Sequence, residues 1–84
     1  MKPAPHVRAN LTDDGLVILD IDKGSIYSAN SVAARIWQML MDGKSEQDAV
    51  ETVAQEFNAP RDVVEKDAKD FIASLWEKEL VVEA

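Results

Sequence analysis

The stretch GLVILDIDKGSIYSAN, residues 15–30, decides the fold of this chain. Its first part, Leu16–Ile21, is an almost continuous apolar run, which is typical of a buried strand. The turn-forming residues Asp22–Gly24 follow, and Ser25–Ala29 then predict a second strand that leads directly into a helical pattern at Asn30. Because the helix begins at once, no adjacent segment is available to pair with the outer edge of this strand. We expect that free edge to be the binding surface.

One more strand is predicted upstream of this stretch. Val7, Ala9 and Leu11 alternate with polar residues, and Thr12–Gly15 contains an Asp-Gly pair, which is typical of a hairpin whose central residues need positive φ. The first thirty residues therefore predict a three-stranded antiparallel meander. Residues 1–6 contain two prolines and are expected to form a flexible, extended lead-in.

Three helices are predicted in the remainder of the chain. They run from a cap at Asn30 or Ser31 to Asp42-Gly43, from a capping Ser45 to Asn58-Ala59, and from Pro60 to about Lys78. A short apolar tail, residues 80–82, is expected to close over the core. The order of three strands and then three helices predicts a single α+β domain, residues 1–84, of the winged helix-turn-helix type.

The composition limits the possible functions. The chain has 84 residues, a net charge of -7 and no cysteine, so a disulfide framework and thiol chemistry are both excluded. No signal peptide is recognisable, and no apolar segment approaches the roughly 20 residues needed to span a bilayer. We expect a cytoplasmic protein without a membrane partner. The acidic balance also argues against nucleic acid as a partner, because phosphates would be repelled.

No residue pattern in the sequence predicts catalysis or a bound cofactor. Asp20, Asp22 and Gly24 resemble a calcium loop only faintly, since Ser31 lies where a bidentate glutamate is required. His6 is the single histidine and has no cysteine to complete a zinc site. We therefore expect a protein that is not an enzyme and that uses no metal or cofactor.

Two other binding functions remain open at this point. The winged helix-turn-helix order is shared with transcriptional regulators, but acidic residues outnumber basic ones on both later helices, which disfavours DNA. Acyl carrier proteins are also small and acidic, and Gly24-Ser25-Ile26 weakly resembles their modified serine. In this chain, however, that serine begins a strand rather than a helix.

Several short motifs occur along the chain: Ala29-Asn30, Ile36-Trp37, Asp42-Gly43, Ser45, Val64, Phe71-Ile72, Leu75 and Glu79-Leu80. Taken together, they resemble the PqqD-like family of recognition elements for ribosomally made peptides. Their order and spacing cover residues 7–82. Two positions depart from the family pattern: Ala29 replaces a larger residue, and Glu79 replaces a glycine.

The resemblance implies a non-catalytic adaptor. In that family the leader region of a precursor peptide adds as an antiparallel strand to the third strand and lies against the third helix. Carried over by position, the peptide-binding residues are Ser25, Ile26, Tyr27, Ser28, Ala29, Val64, Asp67, Ala68, Phe71 and Ile72. Asp67 has no predicted role in the core and is the residue from which we expect a polar contact to the leader.

Two kinds of protein fit this resemblance. One is a PqqD-type chaperone for another peptide-modifying enzyme, such as a radical SAM enzyme, and the other is the discrete leader-binding protein of lasso-peptide biosynthesis. We favour the leader-binding protein of lasso-peptide biosynthesis. The implied partners are then a leader, which in such systems often carries a Tyr-x-x-Pro motif, and a separate cysteine-protease-like leader peptidase.

Overall fold

The computed structural model describes residues 1–83 as an α+β fold. Its elements, in chain order, are β1 (Lys2–Pro3), β2 (Val7–Thr12), β3 (Gly15–Asp20), β4 (Ser25–Asn30), α1 (Ser31–Met41), α2 (Glu46–Glu56), α3 (Arg61–Glu77) and β5 (Val81–Val82). The predicted three-stranded sheet followed by three helices is confirmed. Within the described residues, no helix is long and apolar enough to cross a membrane.

The main sheet has the order β2-β3-β4, and both of its pairings are antiparallel. β3 is the central strand, and its inward side chains Leu16 and Ile18 are completely buried. The β2–β3 turn differs from the prediction: Asp13 and Asp14 keep negative φ, and the positive φ of 154° falls on Gly15. A Cβ atom added at Gly15 would overlap the carbonyl oxygen of Ala29, so only glycine fits where β4 crosses this position.

Helices α1 and α2 begin at the predicted caps, whereas α3 begins at Arg61 with Pro60 as the residue before it. The Asn30 side chain accepts a hydrogen bond from the Ala33 N–H at 2.9 Å, and the Ser45 hydroxyl accepts one from the Asp48 N–H at 3.0 Å. Since Asn30 is both the last residue of β4 and the cap of α1, the edge strand and the helix are joined without a loop.

The first six residues are more structured than the predicted lead-in. Lys2 and Pro3 pair with Val82 and Val81 in a second, two-stranded antiparallel sheet. Ala4 is buried, and its N–H donates to the Leu80 carbonyl at 3.0 Å. Backbone hydrogen bonds therefore join the two ends of the described chain, and the apolar tail closes over the core as expected.

The core lies between the inner face of the main sheet and the three helices. It contains nineteen buried apolar residues, among them Trp37 of α1, Val53 of α2 and Leu75 of α3. Trp76, by contrast, is 40% exposed. On the surface, Glu56 accepts two hydrogen bonds from Arg35 and joins α2 to α1. The hydrogen bond from Arg35 lowers the pKa of Glu56.

Helix α3 ends in a Schellman-type turn that places Glu79 in the left-handed region. The Leu80 N–H donates to the Leu75 carbonyl at 2.9 Å, and Glu79 has a φ of 59°. This is the position at which the family pattern has glycine, and the structure shows why: the turn needs a positive φ whichever residue occupies it.

We predict that Glu79→Gly stabilises the protein by about 1 kcal/mol, because glycine adopts this conformation without the steric cost of a Cβ atom. The exposed Lys23–Glu79 ion pair, 3.9 Å long, contributes little that would be lost. Urea unfolding of the variant and the wild type measures the difference. Asn58→Gly, at a φ of 50° after α2, is the matched control and should gain less, since asparagine tolerates this region. An equal or larger gain at Asn58 would contradict the prediction.

Candidate functional site

A groove of about 390 Å³ lies between the edge strand β4 and helix α3. One wall is formed by the backbone and side chains at the end of β4, and the opposite wall by α3. Apolar side chains from the first turns of α1 form the floor. The lining residues are Tyr27, Ser28, Ala29, Asn30, Val32, Ala33, Ile36, Asp67, Asp70, Phe71 and Ser74. We call this space the Ala29 compartment.

The groove continues past Tyr27 into a second space of about 310 Å³. This space reaches the beginning of β4 and the end of α3, and we call it the Ser25 compartment. Its lining residues are Ile18, Asp20, Lys23, Ser25, Ile26, Tyr27, Glu77, Lys78 and Leu80. Tyr27 lines both compartments and stacks on Phe71 with ring centroids 6.3 Å apart. The Lys78 ammonium lies 5.9 Å from the Tyr27 ring on the Ser25 side. The Tyr27 side chain, which contacts Phe71 and Lys78, therefore separates the two compartments.

The outer edge of β4 has hydrogen-bonding groups that no described residue pairs with in the sheet. The Ala29 carbonyl oxygen points towards β3, because it lies where a Gly15 side chain would be. Backbone groups of successive residues in an antiparallel strand point alternately to the two sides. Ser28 and Ile26 therefore direct their N–H and C=O groups outward. An added strand would bond at these residues.

The side chains of β4 also alternate. Tyr27 and Ala29 are half-buried and face the groove, whereas Ile26 and Ser28 are exposed on the opposite face of the sheet. Ile26 is 68% exposed and lies opposite Leu19 of β3, which is 39% exposed. The strand thus presents one face to the groove and an apolar pair to solvent.

Two carboxylates of α3 stand at the rim of the Ala29 compartment. Asp70 accepts a hydrogen bond from the Lys66 ammonium at 3.1 Å, which raises the pKa of Lys66. Asp67 is exposed and forms no ion pair with any described residue within 4.0 Å. The rim therefore has acceptor oxygens facing whatever enters the groove.

The structure separates the residues that the resemblance carried over. Ser28, Ala29, Tyr27, Asp67 and Phe71 lie together around the Ala29 compartment, and Ser25 and Ile26 line the Ser25 compartment. Val64 and Ala68 are 2% and 0% exposed, so their side chains are core. Ile72 is half-buried against the core and lines neither compartment. The peptide contacts themselves stay predictions.

Six further lining residues were not among the predicted site residues: Asn30, Val32, Ala33, Ile36, Asp70 and Ser74. Four of them belong to the junction of β4 and α1. The signal was present in the sequence, because a helix that follows an edge strand without a loop must place its first turn beside the end of that strand. Asp70 and Ser74 follow Asp67 and Phe71 by one helical step of three residues.

The buried Asp20 caps the turn between β3 and β4. One carboxylate oxygen, Oδ1, accepts a hydrogen bond from the Lys23 N–H at 3.0 Å. The other, Oδ2, has no hydrogen-bond donor among the described residues and lies 3.8 Å from His6 Nε2. Residues 1–83 contain no group of three or more histidine or acidic side chains arranged to hold a metal ion.

Comparisons with known proteins identify the family to which the chain belongs. Residues 15–81 match the family described as coenzyme PQQ synthesis protein D (PqqD). One similar solved structure is TbiB1 in complex with the TbiA(beta) leader peptide, at 32% identity and a TM-score of 0.83, with 100% of this chain and 98% of that chain covered. Another is a lasso peptide synthetase B1 complexed with the leader peptide, at 30% identity and a TM-score of 0.85, with coverage of 98% and 96%.

A search of curated protein sequences finds no match. The family match spans the main sheet from β3 onward, all three helices and the first residue of β5, and so includes both walls of the groove. The relationship predicted from the short motifs is confirmed. The chain belongs to the PqqD family.

Proposed function

We propose that this protein is a non-catalytic adaptor that binds the leader region of a ribosomally synthesised precursor peptide and delivers it to a separate enzyme in lasso-peptide biosynthesis. The observation that carries the proposal is the unpaired outer edge of β4, which faces a groove walled by α3. Both solved relatives are complexes with leader peptides, and they align with this chain over almost its whole length.

Strand addition accounts for both affinity and selectivity at this edge. The leader pairs antiparallel with β4 and bonds to the outward N–H and C=O groups of Ile26 and Ser28, which tolerates many sequences. Its alternate side chains enter the Ala29 and Ser25 compartments, where size and polarity are selected. The tyrosine of a Tyr-x-x-Pro leader motif would fit against the apolar floor of the Ala29 compartment, formed by Val32, Ala33 and Ile36.

Delivery requires a second surface that stays free while the leader is bound. The outer face of the sheet supplies one, since Leu19 and Ile26 are exposed on the side away from the groove. We assign this face to a cysteine-protease-like leader peptidase, which acts in the cytoplasm on the presented precursor. Contact with another protein would remove these two aliphatic side chains from water, which is favourable.

A PqqD-type chaperone for a different peptide-modifying enzyme, such as a radical SAM enzyme, is the second candidate. The family match favours this second candidate, since the description of the family is coenzyme PQQ synthesis protein D. The groove and the docking edge would be used in the same way, and only the downstream enzyme would differ. Co-purification with a precursor and either a peptidase or a radical SAM enzyme discriminates between the two.

The first prediction concerns the backbone of the docking edge. Ser28→Pro should weaken leader binding about tenfold or more, because proline removes the outward N–H and places a ring in the path of the added strand. Ser28→Ala keeps the N–H and should change the affinity less than threefold. Fluorescence polarisation with a labelled leader peptide measures both.

Ala9→Pro is the matched control, since Ala9 lies on the opposite edge strand β2 and by the same alternation also directs its N–H outward. It should leave the affinity unchanged. Thermal unfolding of all three variants tests whether the fold persists. Equal loss of binding in the two proline variants would contradict docking on β4.

The second prediction concerns the rim of the groove. Asp67→Asn should lower leader affinity two- to tenfold and reduce its dependence on salt, because an acceptor charge facing the peptide is removed. Its melting temperature should stay within about 1 °C of the wild type, since the side chain is exposed. Asp62→Asn, which makes the same charge change on α3 outside both compartments, should not alter binding. If Asp67→Asn lowered the melting temperature and the leader affinity together, the loss of affinity would be explained by lost stability and would contradict this role for Asp67.

The third prediction concerns nucleic acid. Duplex DNA should show no binding in a gel-shift experiment at physiological salt, because acidic residues outnumber basic ones among the exposed side chains of α2 and α3 and the whole chain has a charge of -7. Binding that weakens steeply with added salt would instead support a winged-helix regulator.

A further inference from the structure

The side chains on the groove face of β4 differ in size. Ser25, Tyr27 and Ala29 occupy alternate positions on this strand and so share one face, in the order small, large, small. Ala29 contributes only a methyl group, and the space beside it is bounded by Ile36 of α1 and Phe71 of α3. At Tyr27 the same face is filled by a ring that is stacked on Phe71 and covered by Lys78.

We propose that Ala29 is a specificity-determining residue: the peptide strand added to β4 places a bulky apolar side chain opposite Ala29 and a small side chain two residues later, opposite Tyr27. This inference rests on the proposed function, since it requires a strand on β4. Side chains directly opposite each other on neighbouring strands share a face and lie about 5 Å apart. A bulky residue therefore complements Ala29, and a small one complements Tyr27.

The direction of the peptide follows from the pairing. In an antiparallel strand, moving from Ala29 to Tyr27 on β4 corresponds to moving towards the C-terminus of the peptide. The bulky residue must therefore come first and the small residue second. A peptide with the two exchanged would place its bulky side chain against the Tyr27 ring and leave the Ala29 compartment empty.

A bulky side chain opposite Ala29 would lose most of its contact with water, because the compartment is lined on its floor by Val32 and Ile36 and on its far wall by Phe71. Burial of one large apolar side chain changes an affinity by about 10- to 100-fold. Ala29→Leu fills the same space from the protein side, so it should reverse the preference at this peptide position.

The occupant is a peptide rather than a second copy of this chain. Two copies paired through β4 would each bring a net charge of -7, and the Asp67 and Asp70 carboxylates of both would approach the same edge. The β4 strand of a second copy would also present a fixed set of groove-facing side chains, namely Ser25, Tyr27 and Ala29. A free peptide segment has neither restriction.

The test selects peptides without assuming a leader sequence. A library of random 12-residue peptides, displayed on their encoding mRNA, is selected in parallel on the wild type and on Ala29→Leu. Enriched peptides are synthesised, labelled and measured by fluorescence polarisation. Only those that bind Ser28→Pro at least tenfold more weakly are kept, because these depend on the edge of β4.

Ser25→Leu is the matched control. It adds the same side chain to the same face of the same strand, but four residues away in the Ser25 compartment. Thermal unfolding confirms that both leucine variants remain folded. For each retained peptide, the bulky residue and the residue two positions later are also exchanged, and the bulky residue is separately replaced by alanine.

The wild type should select peptides with an aromatic residue or leucine followed, two positions later, by alanine, serine or glycine. Ala29→Leu should lower the affinity of these peptides at least tenfold and should bind the alanine-substituted versions better than the originals. Ser25→Leu should leave the preference at this position unchanged, and the exchanged peptides should bind the wild type at least tenfold more weakly than the originals.

Two results would overturn the inference. Edge-dependent peptides whose size preference is the same on the wild type and on Ala29→Leu would refute the role of Ala29 and leave strand addition intact. A selection that yields no peptide sensitive to Ser28→Pro would refute strand addition itself, and this inference with it.

Discussion

The stack of Tyr27 on Phe71 sets the distance between the edge strand and helix α3, and the groove depends on that distance. Within residues 1–83, β4 is hydrogen-bonded to another strand on one side only, so side chains must set its spacing from the helix. Phe71 is 6% exposed and anchored in the core beside the fully buried Leu75. On either side of the stack the groove-facing side chains of β4 are small, Ala29 on one side and Ser25 on the other. One aromatic contact thus keeps the elements apart, and small neighbours leave two openings.

Much of the fold could be predicted because its signals are local. Alternation marked β2, Asn30 and Ser45 supplied helix caps, and Gly43 ended α1, so each boundary depended on a few adjacent residues. The pairing of β1 with β5 had no such signal. Two-residue strands show no periodicity, and Lys2 and Val82 are brought together only by the completed core. A proline-rich start therefore predicts a flexible segment, although Lys2 and Pro3 are paired with β5.

The groove was predictable in part, for a related reason. The order of strand, strand and helix was enough to predict a free edge at Ser25–Ala29. On α3, helical periodicity identifies a face but not which residues on that face another element covers. Val64 and Ala68 share the apolar stripe with Phe71, yet they are buried in the core, and of the three only Phe71 lines the groove. The contribution of α1 was missed because Val32 and Ile36 read equally well as core residues, and Ile36 is both buried and part of the groove floor.

The same scaffold would serve DNA if its exposed helix faces were basic, and the charge of this chain decides against that use. Acidic side chains on α3 repel phosphate but leave a backbone edge fully available, since N–H and C=O groups pair with another strand whatever the charge of its surroundings. An edge alone selects poorly, because every peptide offers the same backbone groups. Discrimination must then come from the residues that face the groove, and on β4 these are only Ser25, Tyr27 and Ala29. Their differing sizes are the simplest means by which this chain distinguishes one extended peptide from another.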